Sequence, residues 1–208
     1  MKKSIFGALA IASLTFAACN NSGTTSKEGQ STADSGAAAQ TPAATSEKAV
    51  TEITPQFTDI DSKVAASLNT VIDQYLAIKN GLAADNAEET AKAGKAMAAA
   101  LAGVDASLLT TAQQPVFAEN KDELKEHAEH ISENAGNIHH QREHFVDMSE
   151  DVYALVKAFG GGRPLYRDFC PMANEDKGAR WLSEVKDIKN PYFGSKMLTC
   201  GSVEEVIK

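Results

Sequence analysis

Four stretches of the chain place apolar side chains at helical intervals. Val64, Leu68, Val71, Tyr75, Ile78 and Leu82 recur at alternating spacings of four and three, which is one continuous stripe on a helix. Asp59 or Asp61 is placed to cap its start. A second, alanine-dominated helix is predicted over 87–102, with Ala91, Gly94, Ala98 and Leu101 on one face, small enough to let a neighbouring helix come close. A third, over 117–133, turns Leu124, Ala128 and Ile131 inward. A fourth, over 138–159, carries Phe145, Met148, Val152, Leu155 and Phe159 on one stripe. Gly136 stops the third helix and Asn137 can cap the fourth. Short connections between amphipathic helices predict antiparallel neighbours in an up-down bundle.

The period is lost after Gly160-Gly161-Gly162. Residues 163–208 mix aromatics with turn formers, among them Pro164, Tyr166, Phe169, Pro171, Trp181 and Asn190-Pro191-Tyr192-Phe193-Gly194. The expectation is an irregular segment with a short helix near 179–185 and another at the end. The fold class expected is therefore all-α: an antiparallel up-down four-helix bundle over 57–208, with an irregular, Cys-containing C-terminal segment packed on it.

The other end of the chain differs again. Met1-Lys2-Lys3 precedes an uncharged, mostly apolar run from Ile5 to Phe16, then Ala17, Ala18 and Cys19. A basic start, a short apolar region and small residues at a cut are the marks of a secretory signal. The run is shorter than the roughly 20 residues that span a bilayer. Phe-Ala-Ala-Cys resembles a bacterial lipobox, with Phe16 where Leu is usual. It predicts a lipoprotein signal peptide over 1–18 and lipidation of Cys19; the alternative is an ordinary secretory cut near Ala18. Asn20 after the Cys leans toward the outer membrane, facing the periplasm. Residues 19–56 are mostly Ser, Thr, Ala, Gly and Asn. They read as a disordered tether, because they bury too little apolar surface to offset the entropy of ordering.

Charge narrows the partners. The 208-residue chain has a formal net charge of −8, and losing Lys2 and Lys3 with the signal makes it more acidic. Phosphate backbones need clustered Lys and Arg, so no nucleic-acid partner is expected. Nor is an enzyme: Gly160–Gly162 lacks the strand-to-helix setting of a phosphate loop, and Ser149 and Ser183 show no nucleophile-elbow pattern.

Two constellations remain. All five histidines fall between 127 and 144. If the chain turns near 135–136, His127 faces His144 and His130 faces His140 across two antiparallel helices, and His140, His144 and Met148 form a ridge. Neutral imidazole is a common transition-metal ligand. By wheel position His127 and His144 border the apolar stripe, while His130 and His139 point further out; a solvated acidic-and-His face is the alternative. The second constellation is Cys170-Pro171-Met172 with Met197-Leu198-Thr199-Cys200. Thiolate and thioether are soft donors suited to Cu(I). Equally, with Cys19 lipidated, Cys170 and Cys200 remain as a pair in a compartment that permits disulfides.

These pieces resemble a bacterial family. Gln141-Arg142-Glu143-His144-Phe145, Phe169-Cys170-Pro171-Met172-Ala173, Trp181-Leu182-Ser183, Asn190-Pro191-Tyr192-Phe193-Gly194 and Lys196-Met197-Leu198 are similar to domain-of-unknown-function family thirty-three forty-seven, over about residues 60–207. The resemblance implies an envelope lipoprotein or a module of heavy-metal efflux adaptors. It therefore implies copper handling, with an efflux adaptor as partner and the lipid anchor as membrane contact. The Cys-Pro-Met stretch is also similar to the Cys-Pro-Met-His motif of small heavy-metal-binding domains, but Ala173 stands in place of the His; His144 or His140 would supply that nitrogen. The expected ligands are Cys170, Met172, Met197 and Cys200, with His144, His140 and His127, and the expected role is a metal buffer or donor. The rival is a metal-free, disulfide-stapled interaction module.

Overall fold

The computed structural model describes residues 49–208. The signal peptide, Cys19 and most of the tether expected from the sequence lie outside the described residues.

The helices run α1 Ser62–Ala83, α2 Ala87–Ala102, α3 Gln113–Glu133 and α4 Ile138–Phe159. α1, α2 and α4 start where a side chain satisfies free N–H groups of the first turn, whereas α3 follows Ala112 without a side-chain cap. Asp61 accepts from Lys63 N and Val64 N ahead of α1, Asn86 from Glu89 N ahead of α2, and Asn137 from His140 N ahead of α4. Gly160, at φ +78°, ends α4 in a conformation that side chains disfavour. Each helix packs on the next in the chain. The small-residue face of α2 has the expected use: a Cβ on Gly94 would lie 2.8 Å from the carbonyl oxygen of Ala128. Only a bare Cα lets α2 and α3 come this close.

The all-α expectation is overturned. Alongside the four helices the described residues form a four-stranded mixed sheet, in the order β1 (Thr51–Ile53), β4 (Ser202–Ile207), β2 (Leu165–Cys170), β3 (Ala179–Ser183). β2 runs antiparallel to both β3 and β4, and β1 runs parallel to β4. The C-terminal segment is thus strand rather than irregular coil. The helix expected near 179–185 is β3, the terminal helix is β4, and the end of the expected tether supplies β1. A register shift at Arg167/Asp168 puts Leu165, Asp168 and Cys170 inward, breaking the simple alternation of a strand.

The sheet closes over α1 and α4 through aromatic rings. Tyr75 stacks on Phe145 with centroids 5.1 Å apart; Phe145 meets Tyr192 at 5.7 Å, and Tyr192 meets Trp181 at 5.8 Å. The Tyr75 hydroxyl accepts from Leu182 N at 2.9 Å and lies 3.0 Å from Ser149 Oγ, so one side chain joins α1, α4 and β3. Burial pushes its pKa above the ordinary phenol range. Polar groups lie in the same layer. Lys79 is fully buried and reaches Glu184 Oε2 at 2.7 Å. Asp168 is also fully buried, and neither of its oxygens makes a hydrogen bond among the described residues.

Candidate metal centre

The turn between α3 and α4 is built to hold histidines. Asn134 Nδ2 donates to His130 O at 2.8 Å, and Asn137 Oδ1 accepts from His140 N at 3.2 Å. Gln141, buried beneath the turn, donates to Ile131 O at 3.1 Å and to Ala87 O at 3.0 Å, which pins the two helix ends to α2. The backbones carrying His130 and His140 are therefore fixed.

His130, His140 and His144 converge, each offering one ligand atom, all within 4.8 Å of one another. His140 Nε2 and His144 Nε2 are 3.2 Å apart. Two nitrogens on one tetrahedral Zn²⁺, at bonds of about 2.0–2.1 Å, stand roughly 3.3–3.4 Å apart. That pair already has a chelating separation. The His130 ring lies parallel to His144, with centroids 4.3 Å apart, so it must turn its edge toward the pair to join.

The far nitrogens of the converging pair are also held. His140 Nδ1 lies 3.0 Å from Glu143 Oε2, and His144 Nδ1 lies 3.1 Å from His127 Nδ1. This is the usual outer support of a metal-binding imidazole, fixing ring and tautomer through the nitrogen that does not ligate. Burial, followed by the nearby His130, His140 and His127, holds the His144 pKa below its ordinary value. The ring is thus neutral, with a lone pair to give, at neutral pH. Asp151 flanks the cluster. Its pKa is raised to about 6, chiefly by burial, against the opposing pull of His127.

The expected ligands divide. His140 and His144 converge as expected. His127 stands behind His144 rather than within the group of three, and His130 takes its place. The wheel turned His130 outward, but the antiparallel register, 130 opposite 140, carried the signal. Cys170 and Cys200 are joined in a disulfide, with Cα atoms 5.9 Å apart. Of the two readings of that pair, the structure has the disulfide, which leaves no thiolate to bind metal. Ala173 is buried, and the residues that precede and follow it line another place altogether. Met172 and Met197 line a cleft of about 740 Å³ on a neighbouring face of α4, together with His139 and Glu143. Sequence reading had merged these two places into one.

No curated protein and no solved structure matches the chain. One family model does, and the matched stretch contains all five histidines while stopping short of the Cys-Pro-Met and Asn-Pro-Tyr-Phe-Gly pieces. Residues 71–163 match the family described as Protein of unknown function (DUF3347), the family that the sequence resembles.

Proposed function

We propose that this protein is a non-enzymatic carrier of a transition-metal ion, copper foremost, bound by His130, His140 and His144. The observation that carries the reading is the convergence of the three imidazoles, two of them already at a chelating separation. Cu²⁺ stands at the top of the stability order for nitrogen donors, and Zn²⁺ suits the same set. Three ligands leave coordination positions open to a transfer partner, which is what a buffer or donor needs. With the lipobox-like leader, the carrier is an envelope lipoprotein anchored at Cys19, handing metal to an efflux adaptor.

Calorimetric titration of the purified, disulfide-closed protein with Cu²⁺, and separately with Zn²⁺, tests the reading. One equivalent should bind, and a variant with His130, His140 and His144 all replaced by Asn should lose it. Equal uptake by both proteins, or none by either, refutes the site. The second reading, a metal-free interaction module, is favoured by the Cys170–Cys200 bridge; an absence of metal uptake in that titration would support it.

A further inference from the structure

We propose that the cleft lined by Met172 and Met197 is a second, separate metal site, specific for a soft monovalent cation such as Cu(I). It is independent of the imidazole centre and stands or falls without it.

The methionines themselves point to it. Four lie among the described residues. Met97 and Met148 are fully buried and fill the core, the ordinary use of this side chain. Met172 is 49% exposed, and it lines the same cleft as Met197. Met197 is part-buried, and both thioethers line the one cleft, where they present soft donor atoms. The backbone fixes both. Ala173 N donates to Cys170 O at 3.3 Å, closing the turn that carries Met172, and Cys200 N donates to Met197 O at 3.0 Å, closing the turn that begins at Met197. The disulfide joins the other ends of these two turns, so it holds the two methionine-bearing backbone segments beside one another. His139 lines the cleft as well, its Nδ1 3.3 Å from Glu143 Oε1, which leaves Nε2 to act as a third donor.

Charge favours a cation. Glu143, Asp147, Glu175 and Asp176 line the cleft against Arg142 and Lys196. Arg142 is already committed to Asp85 Oδ1, Leu82 O and Pro191 O. Glu175 is paired with Lys177 at 3.0 Å, so Glu143, Asp147 and Asp176 are the carboxylates that a cation in the cleft meets beside the thioethers. Glu143 also touches His140 through its other oxygen, at 3.0 Å, so one carboxylate stands between the soft site and the imidazole site.

Ag(I), a soft ion that takes no part in redox exchange with the disulfide, is the probe. It is titrated into the disulfide-closed protein carrying His130→Asn, His140→Asn and His144→Asn, which removes the imidazole centre as a competitor. One equivalent is expected to bind and to shift the ε-methyl resonances of Met172 and Met197 while leaving those of Met97 and Met148 in place. Adding Met172→Leu and Met197→Leu, which keep apolar bulk at the cleft, should weaken binding at least tenfold. The same double leucine change in an otherwise native chain should leave Zn²⁺ uptake at the imidazoles unaltered. Unmoved methionine methyls, or equal Ag(I) affinity with and without the leucines, overturns the proposal. A cleft that takes a basic peptide instead would give that result.

Discussion

Asp168 offers the sharpest test of how the sheet meets the bundle. Its carboxyl group is fully buried, without hydrogen-bond partners among the described residues, and its pKa is raised to about 8. Burial is the main cause; the Lys79 charge opposes it, the Glu184 carboxylate adds to it, and the nearby Trp181 indole N–H, too poorly aligned for a full hydrogen bond, opposes it weakly. The folded protein therefore holds this proton at pH 7, whereas the unfolded chain releases it near the ordinary value of 3.8. Since the folded state binds more protons across that interval, stability falls as pH rises. The contribution is whole below about pH 4 and is lost as pH climbs through 8. Each pH unit within the window costs about 1.4 kcal/mol from this group at most. Asp168→Asn keeps the shape of the neutral acid and removes the titration. Urea unfolding of both proteins from pH 5 to pH 8 isolates the effect, because every other titrating group cancels in the difference. The Asn variant should gain on the native protein steadily with pH, by roughly 2–4 kcal/mol over that range. A difference that stays flat, or a variant that is less stable at every pH, would mean that Asp168 is ionised and paired with Lys79, and the reasoning would fail.

Other consequences are simpler to state. Gly94→Ala would push a methyl group against Ala128 O and Ile131 Cγ2, at 2.8 and 3.0 Å, and should cost about 1–3 kcal/mol in urea unfolding. Gly103→Ala, whose nearest contact is 3.4 Å, serves as the mild control. Replacing Cys170 and Cys200 by Ala opens a loop of sequence separation 30 and should lower stability by about 3–4 kcal/mol, read from the denaturant midpoint. His127→Ala leaves the three converging imidazoles in place but frees His144 Nδ1, so Cu²⁺ or Zn²⁺ affinity should fall about 10–100-fold. Acidification toward roughly pH 5 should release the metal as the imidazoles protonate, monitored by dialysis and metal analysis.

The helices were readable because their information is local. The α1 stripe, the Asp61 cap, the small-residue face of α2 and the Asn137 start all follow from residues within a few turns of one another. The sheet hid itself in three ways. In β2 the register shift at Arg167/Asp168 erased the alternation that marks a strand. In β3, Trp181, Leu182 and Ser183 are buried in succession, a run that fits a buried helix as well as a strand. β1 pairs with β4 across most of the chain, and no window of local sequence spans that distance. The site divided along the same line. Its imidazoles lie on two adjacent helices whose register could be counted from the turn. The sulfurs belong to loops of the unseen sheet, so their distance from the histidines could not be judged.

The smallest strand has an effect larger than its length. β4 has two sides to pair: β2 takes one and Thr51–Ile53 the other, and the latter pairing extends to Lys208 N, which donates to Ile53 O at 3.1 Å. Three residues that read as the end of a leash thus act as a seal along the sheet. Proteolytic trimming past Ile53 would bare the β4 edge as a row of free backbone donors and acceptors, open to a matching strand from a second molecule. Thr51–Ile53 therefore cover a sheet edge that would otherwise be open to pairing between copies.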